Sequence, residues 1–221
     1  MLKRLYKFRF ELFFFSVISI IFGSLFFPKD VFANVISPLL FLINIVSGLL
    51  FFLKKNKQII LLSIIFFIAL EVFLFIILGI KEDHPIRYVR FVAYFTFYVL
   101  VTIQIIHQVW SAKTVNRSVI FGLMSGYISL GLLGFFTFFC IELAAPGSFN
   151  GIAANLAIPA KIESMLYFSY ITLLTIGYGD ITPLTGIAQK ATVFYGMLGQ
   201  FYLVIITAVV IEKYIRHNHK S

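Results

Sequence analysis

Charge is scarce in this chain. Only 12% of its 221 residues are charged, and just nine are acidic. A soluble domain carries about 25%, so a water-soluble globule is excluded as the main architecture. Cysteine is nearly missing as well. Cys140 stands alone inside an apolar run, which rules out an intrachain disulfide and leaves a packing residue. The four histidines, His84, His107, His217 and His219, fall on loops or stand alone. No nucleophile–base pair and no metal-ligand cluster is visible, so no enzymatic chemistry is expected. The first apolar segment lacks a small-residue cleavage site, so it reads as a retained helix rather than a signal peptide. There is no internal repeat and no low-complexity tail.

What fills the space is apolar. Hydrophobic residues make up 61% of the chain, 28 of them Phe, and the mean hydropathy is +1.00. A bilayer core requires about 20 apolar residues of helix. Six runs approach or exceed that length: Phe10–Phe27, Ile36–Leu53, Ile59–Ile80, Tyr88–Trp110, Ser118–Leu143 and Gly186–Ile211. A seventh, Ile162–Leu174, is too short to span. The segment Ala144–Ala160, with Pro146, Gly147, Asn150, Gly151 and Pro159, reads as an outer loop, and Asp83, His84 and Pro85 separate the third run from the fourth.

The net charge of +9 is explained by helix orientation, without nucleic acid as a partner. With the N-terminus in the cytoplasm, the inner segments hold Lys3, Arg4, Lys7, Arg9, Lys54, Lys55, Lys57, Lys113, Arg117, Lys213, Arg216 and Lys220. The outer segments hold only Lys29, Lys81, Arg87, Arg90, Lys161 and Lys190. This positive-inside bias predicts a multi-pass protein of the cell membrane, surrounded by lipid, with both termini cytoplasmic. Asn116-Arg117-Ser118 fits a glycosylation sequon but falls on the inner side, so it is discounted.

The most specific feature is Thr175-Ile176-Gly177-Tyr178-Gly179-Asp180, with Thr172 three residues upstream and Pro183 after it. A K⁺ ion leaving water must have its hydration shell replaced by oxygen at close range, and a ring of backbone carbonyls does this. Carbonyls line up along one side only if the backbone alternates into left-handed conformations, which glycine adopts at little steric cost. Gly177 and Gly179 supply that freedom. Ile176 and Tyr178 are expected to turn their side chains away from the axis as packing, and the Thr175 hydroxyl adds a further oxygen layer at the inner end.

This run, with Leu166–Leu174 before it and Gly199-Gln200-Phe201-Tyr202-Leu203 after it, resembles the pore region of prokaryotic K⁺ channels with a two-helix pore. The resemblance covers roughly 117–215. It implies a re-entrant pore helix before the filter and coordination of K⁺ by Thr175, Ile176, Gly177 and Tyr178. Gly179, Asp180, Tyr167 and Thr172 would support the filter, and four chains would form a homotetrameric pore. Valine is usual where Ile176 stands. Many relatives have a tryptophan at the place of Tyr167. Here the phenol either donates to Asp180 or packs as a plain aromatic. Ile171 replaces a carboxylate that some relatives carry. Gly199 lies where relatives have a gating hinge, with close helix packing as the alternative, and Gly196 reads as packing. Thr207 and Ala208 are small enough to line an inner cavity. Gln200, polar inside the bilayer, is expected to face protein.

The first four runs invite comparison with a voltage sensor. A sensor requires repeated positive charges along its fourth helix, but this chain has Arg87 and Arg90 and then Ala93, Thr96 and Val99 in the same phase. These arginines read as interface anchors. Glu71, midway along the third run, must be protonated, hydrated or paired; Arg90, Asn44 and Gln104 are candidate partners. Glu11 is expected to pair with Arg9 or Lys113. Only Glu212–Ser221 follow the sixth run, too little for an attached ligand-sensing domain, so any regulatory subunit would be separate.

The expectation is therefore an all-α membrane protein of six transmembrane helices with a re-entrant pore helix and filter. Residues 1–111 form a sensor-like four-helix domain without a full arginine ladder, and 112–221 form the pore domain. It would conduct K⁺ passively, with K⁺ ions in the filter, no organic cofactor and weak voltage dependence. The alternatives are a weakly voltage-gated K⁺ channel using Arg87 and Arg90, a K⁺ transporter subunit, and a non-conducting accessory subunit. A single intact filter loop argues against the transporter, and its completeness against the accessory role.

Overall fold

The computed structural model describes residues 2–28, 31–52, 84–112, 114–152 and 158–218. The expected third span, Ile59–Ile80, and Glu71 within it lie outside the described residues, as do Lys29, Asp30, Lys81, Asp83 and Lys113. The chain divides into two compact units, Met1–Gly126 and Tyr127–Ser221. The division falls within a helix, whereas the sequence places the domain boundary in the loop at 111/112.

In the first unit, α1 covers Leu2–Lys7 and α2 Arg9–Phe22, followed by a tight turn, Gly23–Leu25. A wide turn, Phe32–Ile36, leads into α3, Ser37–Leu49, and α4 covers His84–Trp110. Helix α5, Arg117–Ala144, begins in this unit, with the Asn116 side-chain oxygen accepting the Val119 N–H at 3.0 Å. That is an N-cap bond, which supplies a partner for an otherwise orphaned helix donor.

Helices α2 and α3 are joined by buried polar side chains. Asn44 Nδ2 donates to Ser16 Oγ at 2.8 Å, and Ser16 and Ser47 exchange a hydrogen bond at 3.2 Å. Tyr98 of α4 donates to Asn44 Oδ1 at 2.8 Å. Both ends of the Asn44 amide are thus engaged by described neighbours. Of the partners expected for Glu11, Lys113 lies outside the described residues, and Arg9 is attracted by the Glu11 charge but directs its hydrogen bonds elsewhere. Arg9 donates to Gln108 Oε1 at 2.7 Å and to the Tyr6 carbonyl at 2.9 Å, and its guanidinium lies over the Tyr6 and Phe10 rings. Glu11 accepts from Ser118 Oγ at 3.3 Å. A planar guanidinium suits this combination of stacking and directed donation.

The second unit comprises the rest of α5, a two-residue strand β1 (Phe149–Asn150), α6 (Ile158–Leu173), β2 (Thr182–Pro183) and α7 (Gly186–Asn218). β1 and β2 pair antiparallel, Phe149 opposite Pro183 and Asn150 opposite Thr182. Four elements meet in an aromatic cluster. The Phe138 ring of α5 lies 5.7 Å from Phe149, 5.0 Å from Phe168 of α6 and 5.4 Å from Tyr195 of α7. All three contacts are near edge-to-face, an arrangement aromatic quadrupoles favour. Close approach of α6 to α5 is made possible by Gly131, which leaves room for the Tyr170 ring.

Two helix starts differ from expectation for one reason. Pro85 and Pro159 read as breakers, but each sits in the first turn of a helix, α4 and α6. The missing N–H is no loss there and the fixed φ suits the helix. The pore-helix candidate therefore starts at Ile158, not Ile162. Likewise the supposed outer loop contains β1.

Among the described residues, two helical stretches are long and apolar enough to cross a bilayer, Arg117–Ala144 and Gly186–Glu212. Leu39–Phe52 and Tyr94–Trp110 are shorter apolar helices.

Glu142, not singled out from the sequence, organises the turn after α5. It is only 3% exposed. Its two oxygens accept the Gly147 N–H at 2.9 Å and the Phe149 N–H at 3.3 Å. Glu142→Ala orphans the buried Phe149 N–H, which costs about 1–3 kcal/mol, and leaves the exposed Gly147 N–H to water. The purified variant should melt well below wild type, with Glu142→Gln in between because its amide oxygen still accepts one bond. Equal melting of Glu142→Ala and wild type would show that the carboxylate does not hold this turn.

Candidate functional site

The site grows out of the C-terminal end of α6. The Thr175 N–H donates to the Thr172 carbonyl at 3.0 Å, and the Ile176 N–H donates to the Ile171 carbonyl at 2.9 Å. These two bonds are the helix-ending pair of a Schellman motif, which places one residue in the left-handed region. That residue is Thr175, at φ +57°. Glycine is usual here, and left-handed backbone costs about 1–2 kcal/mol in a residue with a Cβ. A β-branched residue held in this conformation is a marked outlier.

Gly177 and Gly179 follow at φ +58° and +84°, whereas Ile176 and Tyr178 have no positive φ. The left-handed positions therefore alternate: 175, 177, 179. Backbone of alternating hand turns successive peptide groups to one side. Among the described residues nothing lies within 4 Å of where a Cβ would stand on Gly177 or Gly179, so it is the positive φ that calls for glycine there. Ile176 is 47% exposed and Tyr178 72% exposed. Their expected packing is not provided by the described residues of the same chain.

The outer end of the run is held on two sides. The Tyr167 phenol lies within hydrogen-bond reach of the Asp180 side chain. This bond is the main cause that raises the Tyr167 phenol above its ordinary value, with some burial and the charges of Asp180 and Tyr178 adding to it. On the other side, Gly151 runs against the Asp180 carbonyl with no room for a Cβ. The Leu184 N–H donates to the Ser148 carbonyl at 2.8 Å. The turn built on Glu142 thus reaches the segment after the candidate filter.

The inner end meets α5 and α7. The Tyr127 hydroxyl donates to the Leu173 carbonyl at 3.1 Å. Tyr170 and Ser169 donate to the Ile128 and Gly131 carbonyls at 2.8 and 2.6 Å. A Cβ on Gly199 would stand 2.5 Å from the Leu173 carbonyl oxygen, whereas Gly196 has open space within the chain. Helix α7 runs unbroken through both. Among the described residues the packing expected at Gly196 is not formed, and the close contact belongs to Gly199. Gln200 Nε2 donates to Thr175 Oγ1 at 3.4 Å, a partner the sequence did not reveal. The Thr207 hydroxyl is turned back onto the Leu203 carbonyl at 2.6 Å. Thr207 and Ala208 are exposed in the single chain.

Residues 127–216 match the family described as ion channel. Over this segment the chain is similar to ion channels. The segment covers less than half of the chain, and it contains α6, the left-handed run and nearly all of α7. Over 73 residues, 33% of this chain, the sequence is 36% identical to two pore potassium channel c of Oryza sativa subsp. japonica. The aligned stretch is 14% of that protein's length. These similarities are to channels rather than to enzymes, and they agree with apolar helices suited to a membrane.

Gly199 and Gly196 make opposite predictions. Gly199→Ala forces α7 away from Leu173, and overpacking of this kind costs about 1–3 kcal/mol. Gly196→Ala should be neutral or gain up to about 1 kcal/mol from helix propensity. Thermal melting of the purified variants checks the contrast. Equal melting of the two would remove the packing account of Gly199.

Tyr167 gives a pH signature. Because its folded value is raised, the bond to Asp180 contributes fully below pH 10.0, the ordinary phenol value. The contribution is lost as pH climbs through the folded value. Difference absorbance titration of wild type against Tyr167→Phe should reveal a phenol titrating above 10.0. A difference curve centred at the ordinary value would show that Asp180 does not hold it.

Proposed function

We propose that four copies of this chain form a K⁺-selective channel of the cell membrane, each contributing six membrane-spanning helices, with both termini cytoplasmic. K⁺ ions pass passively along the axis, coordinated by the carbonyls of Thr175, Ile176, Gly177 and Tyr178 and by the Thr175 hydroxyl. Thr172, Gly179, Asp180 and Tyr167 hold the strand. The observation that carries this reading is the alternation of left-handed backbone at Thr175, Gly177 and Gly179, directly after a helix end. A hydration shell is replaced by just such a row of carbonyl oxygens. The ion-channel match over 127–216 supports it.

The same geometry supports a tetramer. One chain supplies one wall of a carbonyl ring, and the exposed Ile176 and Tyr178 side chains need neighbours to hold that wall in place. Helix α6 ends at the run, so its partial negative charge faces a cation on the axis. A conducting bend at Gly199 would have to lift α7 off Leu173, while Thr207 and Ala208 line the cavity below. Voltage dependence is weak in this reading, because Ala93 and Thr96 follow Arg87 and Arg90.

Purified full-length protein in planar bilayers tests the proposal. Under K⁺ on one side and Na⁺ on the other, the current should reverse at a potential far from zero, in the direction that favours K⁺. Reversal near zero would overturn K⁺ selectivity. Light scattering in mild detergent should return four subunits, and a conducting dimer would overturn the ring.

A further inference from the structure

The contact between Gln200 and Thr175 lies at the exposed surface of the single chain. It is nevertheless fixed in place. Gly199, the residue before, is seated on the Leu173 carbonyl, and the Tyr127 hydroxyl is bonded to that same carbonyl. These contacts set the register of α7 against the end of α6 and bring the Gln200 amide to Thr175 Oγ1 at 3.4 Å. Thr175 is also the one described non-glycine residue with positive φ. Strain of this kind persists where the surroundings over-determine it and clusters at functional positions.

A hydroxyl oxygen has two acceptor sites and one proton to donate. When the Gln200 N–H occupies one acceptor site, a single lone pair is left for a cation. The amide also places the positive end of its dipole beside that cation. We propose that Gln200 is a specificity-determining residue of the innermost cation site, where its amide competes with the bound ion for the Thr175 hydroxyl oxygen. In four copies, the amides form a ring that weakens cation binding at the entrance from the α7 C-terminal side. The long bond suits this role, because it exchanges readily for an ion contact. This inference rests on the pore reading above, and it adds a residue of α7 to a site otherwise built from the filter strand.

The test uses Ba²⁺, a divalent ion of nearly the size of K⁺, as a blocker applied from the side of the α7 C-terminus. Four full-length proteins form a double-mutant cycle: wild type, Gln200→Leu, Thr175→Val and the double variant. Gln200→Leu should tighten block roughly tenfold, equivalent to about 1.4 kcal/mol. In the Thr175→Val background the same change should act by less than about twofold, since coupled residues are non-additive. An equal shift in both backgrounds, no shift, or weaker block in Gln200→Leu would overturn the proposal. If Thr175→Val fails to assemble, Thr175→Ala replaces it. The rise in melting temperature with Ba²⁺ provides the same cycle without current, because a ligand that binds only the folded protein stabilises it. Wild-type reversal near zero in K⁺ against Na⁺ would count against the channel reading. Additive shifts in a K⁺-selective wild type would count against Gln200 alone.

Discussion

A helix must dispose of its last carbonyls, and in this protein the way α6 does so determines everything around it. The Ile171 and Thr172 carbonyls are taken by the N–H groups of Ile176 and Thr175, which throws the chain into a left-handed turn. The Leu173 carbonyl is taken from outside by Tyr127, and α7 presents a glycine to pass it. The strand that follows therefore leaves α6 in one direction only. Had the helix ended on water instead, nothing would define where the next carbonyls point.

The two ends of that strand are held by different chemistry. The inner end is packed: the Tyr127 hydroxyl and Gly199 crowd the Leu173 carbonyl, and the Gln200 amide reaches the Thr175 hydroxyl. The outer end is tied by hydrogen bonds that run back through β2 and β1 to one buried carboxylate, Glu142, and by the Tyr167 phenol on Asp180. Between them, Ile176 and Tyr178 are bare. The strand is thus clamped at both ends while its middle side chains stay exposed among the described residues of the single chain.

Much of this site was legible in the sequence, and for a definite reason. The filter run places glycine where only glycine is cheap, so Gly177 and Gly179 announce the backbone. Thr175 does not announce it, because a β-branched residue gives no hint of positive φ. Tyr167 and Asp180 could be paired only as one of two options. Gly199 and Gly196 look alike in one dimension; which of them meets Leu173 depends on the rotation of α7. A two-residue strand is too short for any periodicity, and Glu142 resembles an ordinary helix-end residue until its two amide partners are seen. Pro85 and Pro159 misled because proline both ends and begins helices. The apolar runs foretold helices, yet run length alone does not say which of them reach across a membrane.

The β1–β2 pairing has a wider consequence. Its register is carried by main-chain bonds and by one anchored ring, Phe149, while Asn150 and Thr182 contribute only their peptide groups to the pairing. The rim beside the candidate filter is thus specified by backbone and not by the chemistry of its side chains. Such a rim can change its charge or polarity from one relative to another while the strand beneath keeps its shape. Substitutions on that rim and substitutions in the left-handed run therefore act on separate parts of the structure.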